Sequence, residues 1–107
     1  MKEREIQYCG DSKKNLLGFP VKIRERFVVA LEQLRLGEPE DCLSLKSKRM
    51  SGLGQGVTEL ICNGRPAYRC VYVLKQGELI VIHAFSKTSN GTDKEHEDTI
   101  KARMKNI

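Results

Sequence analysis

No apolar run in this sequence approaches the roughly 20 residues that span a bilayer; the longest, such as Leu79 to Phe85, hold only a strand's length. That excludes a helical membrane protein. The opening decapeptide MKEREIQYCG has no apolar core of the kind a signal peptide carries, so a cytoplasmic setting is expected. No CxxC pair exists among the four cysteines (Cys9, Cys42, Cys62, Cys70), and the two histidines, His83 and His96, fall on different predicted elements. Metal-ligand spacing is therefore missing. No metal or other cofactor is expected, and the thiols read as reduced, small core hydrophobes. No repeat, low-complexity tract or linker divides the chain, whose 107 residues make one domain (1–107) with a single modest core. Acidic residues are the minority, 14 against 19 Lys plus Arg, for a net charge of +5. In so small a domain that excess favours an anionic partner, nucleic acid first.

What is present is periodic. Residues 4–9, REIQYC, alternate loosely as a first strand, and Asp11 and Ser12 offer N-caps to a short helix through Leu17. Pro20 suits the first turn of a second helix, Pro20 to Leu36, in which Ile23, Phe27, Ala30, Leu31 and Leu34 recur at i, i+4, i+7, i+8 and i+11. Gly37 is its natural stop. From Gly37 to Gly56 the chain is polar and glycine-rich, with Leu43 and Leu45 able to begin a short strand and Lys46, Lys48 and Arg49 making a basic loop. Three β runs follow, Val57 to Cys62, Ala67 to Leu74 and Leu79 to Phe85, joined by the hairpin-like turns Asn63 to Pro66 and Lys75 to Glu78. Thr92 to Glu95 fits a capping box for a terminal helix with His96, Ile100, Met104 and Ile107 as its stripe. The order β-α-α-β-β-β-β-α predicts an α+β fold, an antiparallel sheet with the two N-terminal helices on one face.

The opposite face of that sheet is then open for use. Strand alternation groups Leu79, Val81, His83 and Phe85, with Ile80, Ile82 and Ala84 on the reverse. Arg69 is an arginine in a run that otherwise reads as buried. Two roles fit it: a structural ion pair with Glu59, because unpaired buried charge is costly, or a guanidinium held to grip a phosphate. Tyr68 and Tyr72 could stack on bases or pack in the core. His83 could be a packed histidine bonded to a carbonyl or a group that moves a proton at neutral pH, and His96 reads as surface of its helix. Together with Lys46, Lys48, Arg49, Arg69 and Lys87, the charge excess outlines a phosphate-binding rim.

The segments KSKRMSGLGQGVTEL, AYRCVYV and VIHAFSKTSNGTD, followed by Arg103, resemble the phage-derived, HigB-like branch of the RelE/ParE toxin superfamily. The positions that carry the resemblance are Lys48, Gly54, Gly56, Glu59, Leu60, Tyr68, Arg69, Tyr72, His83, Phe85, Lys87, Thr92 and Arg103, and with the Phe19-Pro20 helix it covers nearly the whole chain. It implies a RelE-like fold and the toxin of a type II toxin–antitoxin pair, with a helix-turn-helix antitoxin as cognate partner. It also implies metal-independent cleavage of messenger RNA on the ribosome, with no membrane involved. In that role Arg69, Lys87, His83 and Lys48 would be catalytic, and Lys46, Arg49, Tyr72 and Arg103 would bind RNA. The sequence departs from the branch at Ile61 and Thr88, where basic residues are usual. Two alternatives stand beside the nuclease: a toxin that binds DNA gyrase or another protein without chemistry, and a phage-derived nucleic-acid-binding remnant.

Overall fold

The computed structural model describes residues 3–87 and 94–107. Its elements are β1 (Glu5–Tyr8), α1 (Ser12–Leu17), α2 (Val21–Arg35), a 3-10 turn (Glu40–Cys42), β2 (Lys46–Arg49), β3 (Thr58–Cys62), β4 (Ala67–Lys75), β5 (Glu78–Lys87) and α3 (Lys94–Met104). The order matches the expected string. The five strands form one sheet in the order β1-β5-β4-β3-β2.

The helical stripe of α2 does what its spacing requires. Phe27, Ala30, Leu31 and Leu34 are buried against Leu60, Cys70, Tyr72, Leu79 and Val81 on one sheet face, with Leu16 of α1 beside them. Pro20 sits just outside the helix, in extended backbone at the N-cap, and Gly37 follows the C-cap with φ +89°. The second sheet face is covered by α3, whose fully buried Ile100 packs with Val57, Val71, Val73, Ile80, Ile82 and Phe85. Met104 and Ile107 extend that contact. Thr92 and Asp93 of the capping box, and Thr88, lie outside the described residues.

Two expectations are corrected. The sheet is mixed, because β1 pairs parallel with β5, Ile6 opposite Leu79 and Tyr8 opposite Val81. Hairpin-length turns dictate antiparallel pairing only for strands that follow one another, and β1 is joined to β5 through the rest of the fold. The basic segment Lys46–Arg49 is a strand, pairing with β3, rather than a loop.

The β4–β5 hairpin closes through Gln76 (φ +50°) and Gly77 (φ +78°), two positive φ values in a row, the backbone that a tight two-residue turn demands. Farther along the same pair the register slips: Val71 opposes His83, yet Tyr72 opposes Val81. Ile82 is the extra residue of a β-bulge, so it and His83 face the same way. This overturns the simple alternation read from β5. Leu79, Val81 and Ala84 face α1 and α2, while Ile80, Ile82 and Phe85 face α3.

Candidate functional site

Cross-strand register builds the site. Residues directly opposite one another in a sheet share a face, with strands about 4.8 Å apart. One row on the α3 side runs Lys46–Ile61–Arg69–Phe85, and the next runs Lys48–Glu59–Val71–His83. Lys87 stands opposite Ala67, one step beyond Phe85 on that face. The strand pairing thus brings Lys46, Lys48, Arg69 and Lys87 onto one face, with Glu59 among them. The α3 helix covers only part of it, leaving a cleft of ≈ 360 Å³ whose lining includes Lys48, Arg49, Leu53, Glu59 and the α3 residues Glu97 and Lys101.

Arg69 is held rather than sweeping. Its Nε lies 3.9 Å from Glu59 Oε1, both side chains are only 15% exposed, and its Nη1 donates to the Tyr68 carbonyl at 3.2 Å. The expected ion pair with Glu59 is present, and it fixes the guanidinium on the same face as the lysines. Structural pairing and phosphate recognition are compatible here, because Arg offers five donors and Glu59 engages only part of them.

Four residues expected in the site are engaged elsewhere or sealed. Arg49 falls in the row Arg49–Thr58–Tyr72–Val81 on the α2 side, where it contacts Glu40 Oε1 at 3.6 Å. Tyr72 is fully buried and donates its hydroxyl to Glu40 Oε2 at 2.7 Å. Burial and that carboxylate push its phenol far above its usual range, so Tyr72 belongs to the core and cannot stack on a base. Arg103 is committed inward: Nη1 donates to the Ile82 carbonyl at 2.8 Å, and Nη2 meets Asp11 Oδ1 at 2.8 Å. His83 faces the α3 side but is only 6% exposed, covered by that helix. Burial, His96 and Arg103 together lower its pKa to about 4, so it is neutral at pH 7.

The cysteines divide. Cys62 and Cys70 are core residues, and burial pushes the Cys70 thiol up to about 12. Cys42 is exposed, contrary to the reading of all four thiols as core. Among the described residues, no group of three or more His, Cys, Asp or Glu side chains stands ready to hold a metal ion, and no helix is long and apolar enough to cross a membrane.

Residues 14–105 match the model of the family described as "Phage derived protein Gp49-like (DUF891)". The chain belongs to this family. Gp49-like membership agrees with the phage-derived branch of the RelE/ParE superfamily that the quoted segments resemble. Among solved structures the Gp49-like chain is similar to one in the toxin–antitoxin complex RelBE2 from Mycobacterium tuberculosis. That match has a TM-score of 0.47 and 14% identity, covering 83% of this chain and 97% of that one. No curated protein matches it.

The Gp49-like chain also shows what its sequence concealed. Ile61, in place of a basic residue, stands between Lys46 and Arg69 in their row, so the gap in positive charge falls at the middle of the face. His96, read as helix surface, is half-buried, with its ring on Phe85 at 4.0 Å and 15° and its Nδ1 2.8 Å from His83 Nε2. Asp11 occupies an N-cap position but makes no cap hydrogen bond, because its carboxylate is turned to Arg103. That guanidinium holds the Asp11 carboxyl below its usual range. The available signal was helical spacing: His96 and Arg103 are seven residues apart and return to one side of a helix.

Proposed function

We propose that this Gp49-like protein is the toxin of a type II toxin–antitoxin pair and acts as a ribosome-dependent, metal-independent endoribonuclease on messenger RNA in the cytoplasm. The observation that carries the reading is the cross-strand register that sets Lys46, Lys48, Arg69 and Lys87 on one sheet face beside α3. The reaction is attack of a ribose 2′-OH on the adjacent phosphorus: the O2′–P bond forms as the 2′ proton passes to water, and the P–O5′ bond breaks as the 5′ oxygen takes a proton from water and leaves as a hydroxyl. Its transition state gathers negative charge on the phosphate oxygens, which fixed cations stabilise. Arg69, braced by Glu59, grips the phosphate. Lys87, the last residue of β5, and Lys48, on the edge strand, reach it from either side, and Lys46 binds the RNA backbone. A cognate antitoxin, expected to carry a helix-turn-helix, would silence the toxin by masking this face.

Lys87→Ala tests the reading. It should keep the thermal melt and lose growth arrest and messenger cleavage, with a drop of about 10²–10³ in cleavage rate. One observation favours a second reading, a toxin that blocks a protein target such as gyrase: Leu17, Val21, Val28 and Val29 are 47–56% exposed on α1 and α2. A Lys87→Ala protein that is still fully toxic, together with a harmless Val28→Glu protein, would replace the nuclease by that binding toxin.

A further inference from the structure

The α3 face carries a chain of polar contacts that the cation-based mechanism does not use. It starts at Asp11, whose Oδ1 accepts from Arg103 Nη2 at 2.8 Å. Arg103 Nη1 donates to the Ile82 carbonyl at 2.8 Å and faces His83 Nδ1 at 3.4 Å. His83 Nε2 then meets His96 Nδ1 at 2.8 Å. Gly10 makes room for this chain. It has φ +49°, and a Cβ placed there would lie 2.6 Å from Arg103 Nη2, so any other residue would push the guanidinium out of its seat.

The protons in this chain follow from chemistry alone. A guanidinium only donates, so His83 Nδ1 must accept. The His83 proton is then on Nε2, which donates to His96 Nδ1. His96 Nδ1 is thereby an acceptor, and the remaining proton of its neutral ring is on Nε2. An Nδ1–H tautomer of His96 would set two N–H groups against each other, and turning the His83 tautomer to relieve that clash would aim its N–H at Arg103. The network therefore fixes which nitrogen of the uncharged His96 ring carries its proton, leaving an Nε2–H to offer.

The ring stands beside the phosphate face. It stacks on Phe85, and Phe85 directly opposes Arg69 in the row that also holds Lys46. We infer that His96 is a further catalytic residue of this face, a hydrogen-bond donor through Nε2–H to a phosphate oxygen, and that His83, Arg103 and Asp11 are positioning residues that fix its tautomer. The role involves no net proton transfer: the Nε2–H hydrogen bond shortens as charge builds on the oxygen and relaxes when the 5′ oxygen has left. That the ligand is an RNA phosphodiester rests on the ribonuclease reading; the tautomer chain does not.

The test has two arms. In single-turnover cleavage of messenger on programmed ribosomes, His96→Ala should lower the rate about 10²–10³-fold with an unchanged melt. His96→Gln, which restores a neutral N–H donor, should recover at least about tenfold of that loss. In ¹⁵N NMR of the free protein, His83 and His96 should both be Nε2–H tautomers. Inorganic phosphate should shift the His96 Nε2 resonance. His83→Phe, which keeps a ring beside Phe85 but removes the N–H, should leave His96 in a mixture of tautomers. A wild type that cuts RNA no faster than its His96→Ala variant would overturn the inference and leave the ribonuclease reading intact. A wild type that does not cut at all would remove the ribonuclease reading, and the NMR arm then decides: an Nδ1–H tautomer for His96, or no shift on adding phosphate, overturns the inference.

Discussion

His83 titrates under α3 in the company of His96 and Arg103 from that helix and Asp11 from the start of α1. Its pKa falls from the ordinary 6.5 to about 4 in the folded protein. Between those values the unfolded chain binds a proton that the folded chain refuses, so stability rises with pH across that window and is lost on acidification. The expected loss between pH 6.5 and 4 is roughly 1–3 kcal/mol. Asp11 adds to the fall at lower pH, where its carboxylate, held down by Arg103, finally protonates. Denaturant melts at several pH values check this, and a His83→Phe protein should show a flatter slope in the window. A wild-type slope already flat from pH 6.5 to 4 would mean that His83 is not buried as described.

Single residues differ in how far their sequence context gives them away. Arg69 was legible because an arginine amid β-branched and aromatic neighbours demands a partner, and Glu59 on the adjacent run was the nearest candidate. His83 was not. Its side of the sheet depends on a bulge at Ile82, and no residue in LIVIHAF announces where an extra residue enters a ladder. Tyr72 was ambiguous for another reason, since its hydroxyl needed a carboxylate partner, which the distant 3-10 turn supplies at Glu40.

At the scale of elements, α2 carries the first core. Phe27 is completely buried between the helix and the sheet, 5.6 Å from the ring of Phe19. Phe27→Ala should destabilise by about 3–5 kcal/mol, through lost burial and the cavity left behind; a loss under about 1 kcal/mol in denaturant melts would show that this layer does not bear the fold. The stripe that places Phe27 is a local pattern, as are the hairpin turns, and such patterns can be read along the chain. The strand at Lys46–Arg49 could not, because KSKR has neither apolar alternation nor β-branched residues, and it becomes a strand only because β3 offers it an edge. The parallel seat of β1 is equally invisible, since it depends on a partner more than 70 residues away.

For the molecule as a whole, the charge excess of +5 governs encounter. If the proposed antitoxin is acidic where it wraps this face, raising ionic strength should slow association far more than it speeds dissociation. Stopped-flow or surface-capture kinetics at low and high salt measure the two rates separately. An association rate indifferent to salt would argue that the partner docks on the apolar side of α1 and α2 instead.

Among the described residues the sheet ends at β2, a strand of four residues with three cations, Lys46, Lys48 and Arg49, and its outer backbone groups have no described strand beyond them. An open edge is an invitation to polymerise, since the same edge of a second molecule can always complete the ladder. Here that contact would press two rows of like charge together at strand spacing, and the repulsion deters the protein from adding to its own kind. A strand of the opposite sign meets no such barrier. The charge pattern of β2 thus lets the edge remain open without making it sticky to itself.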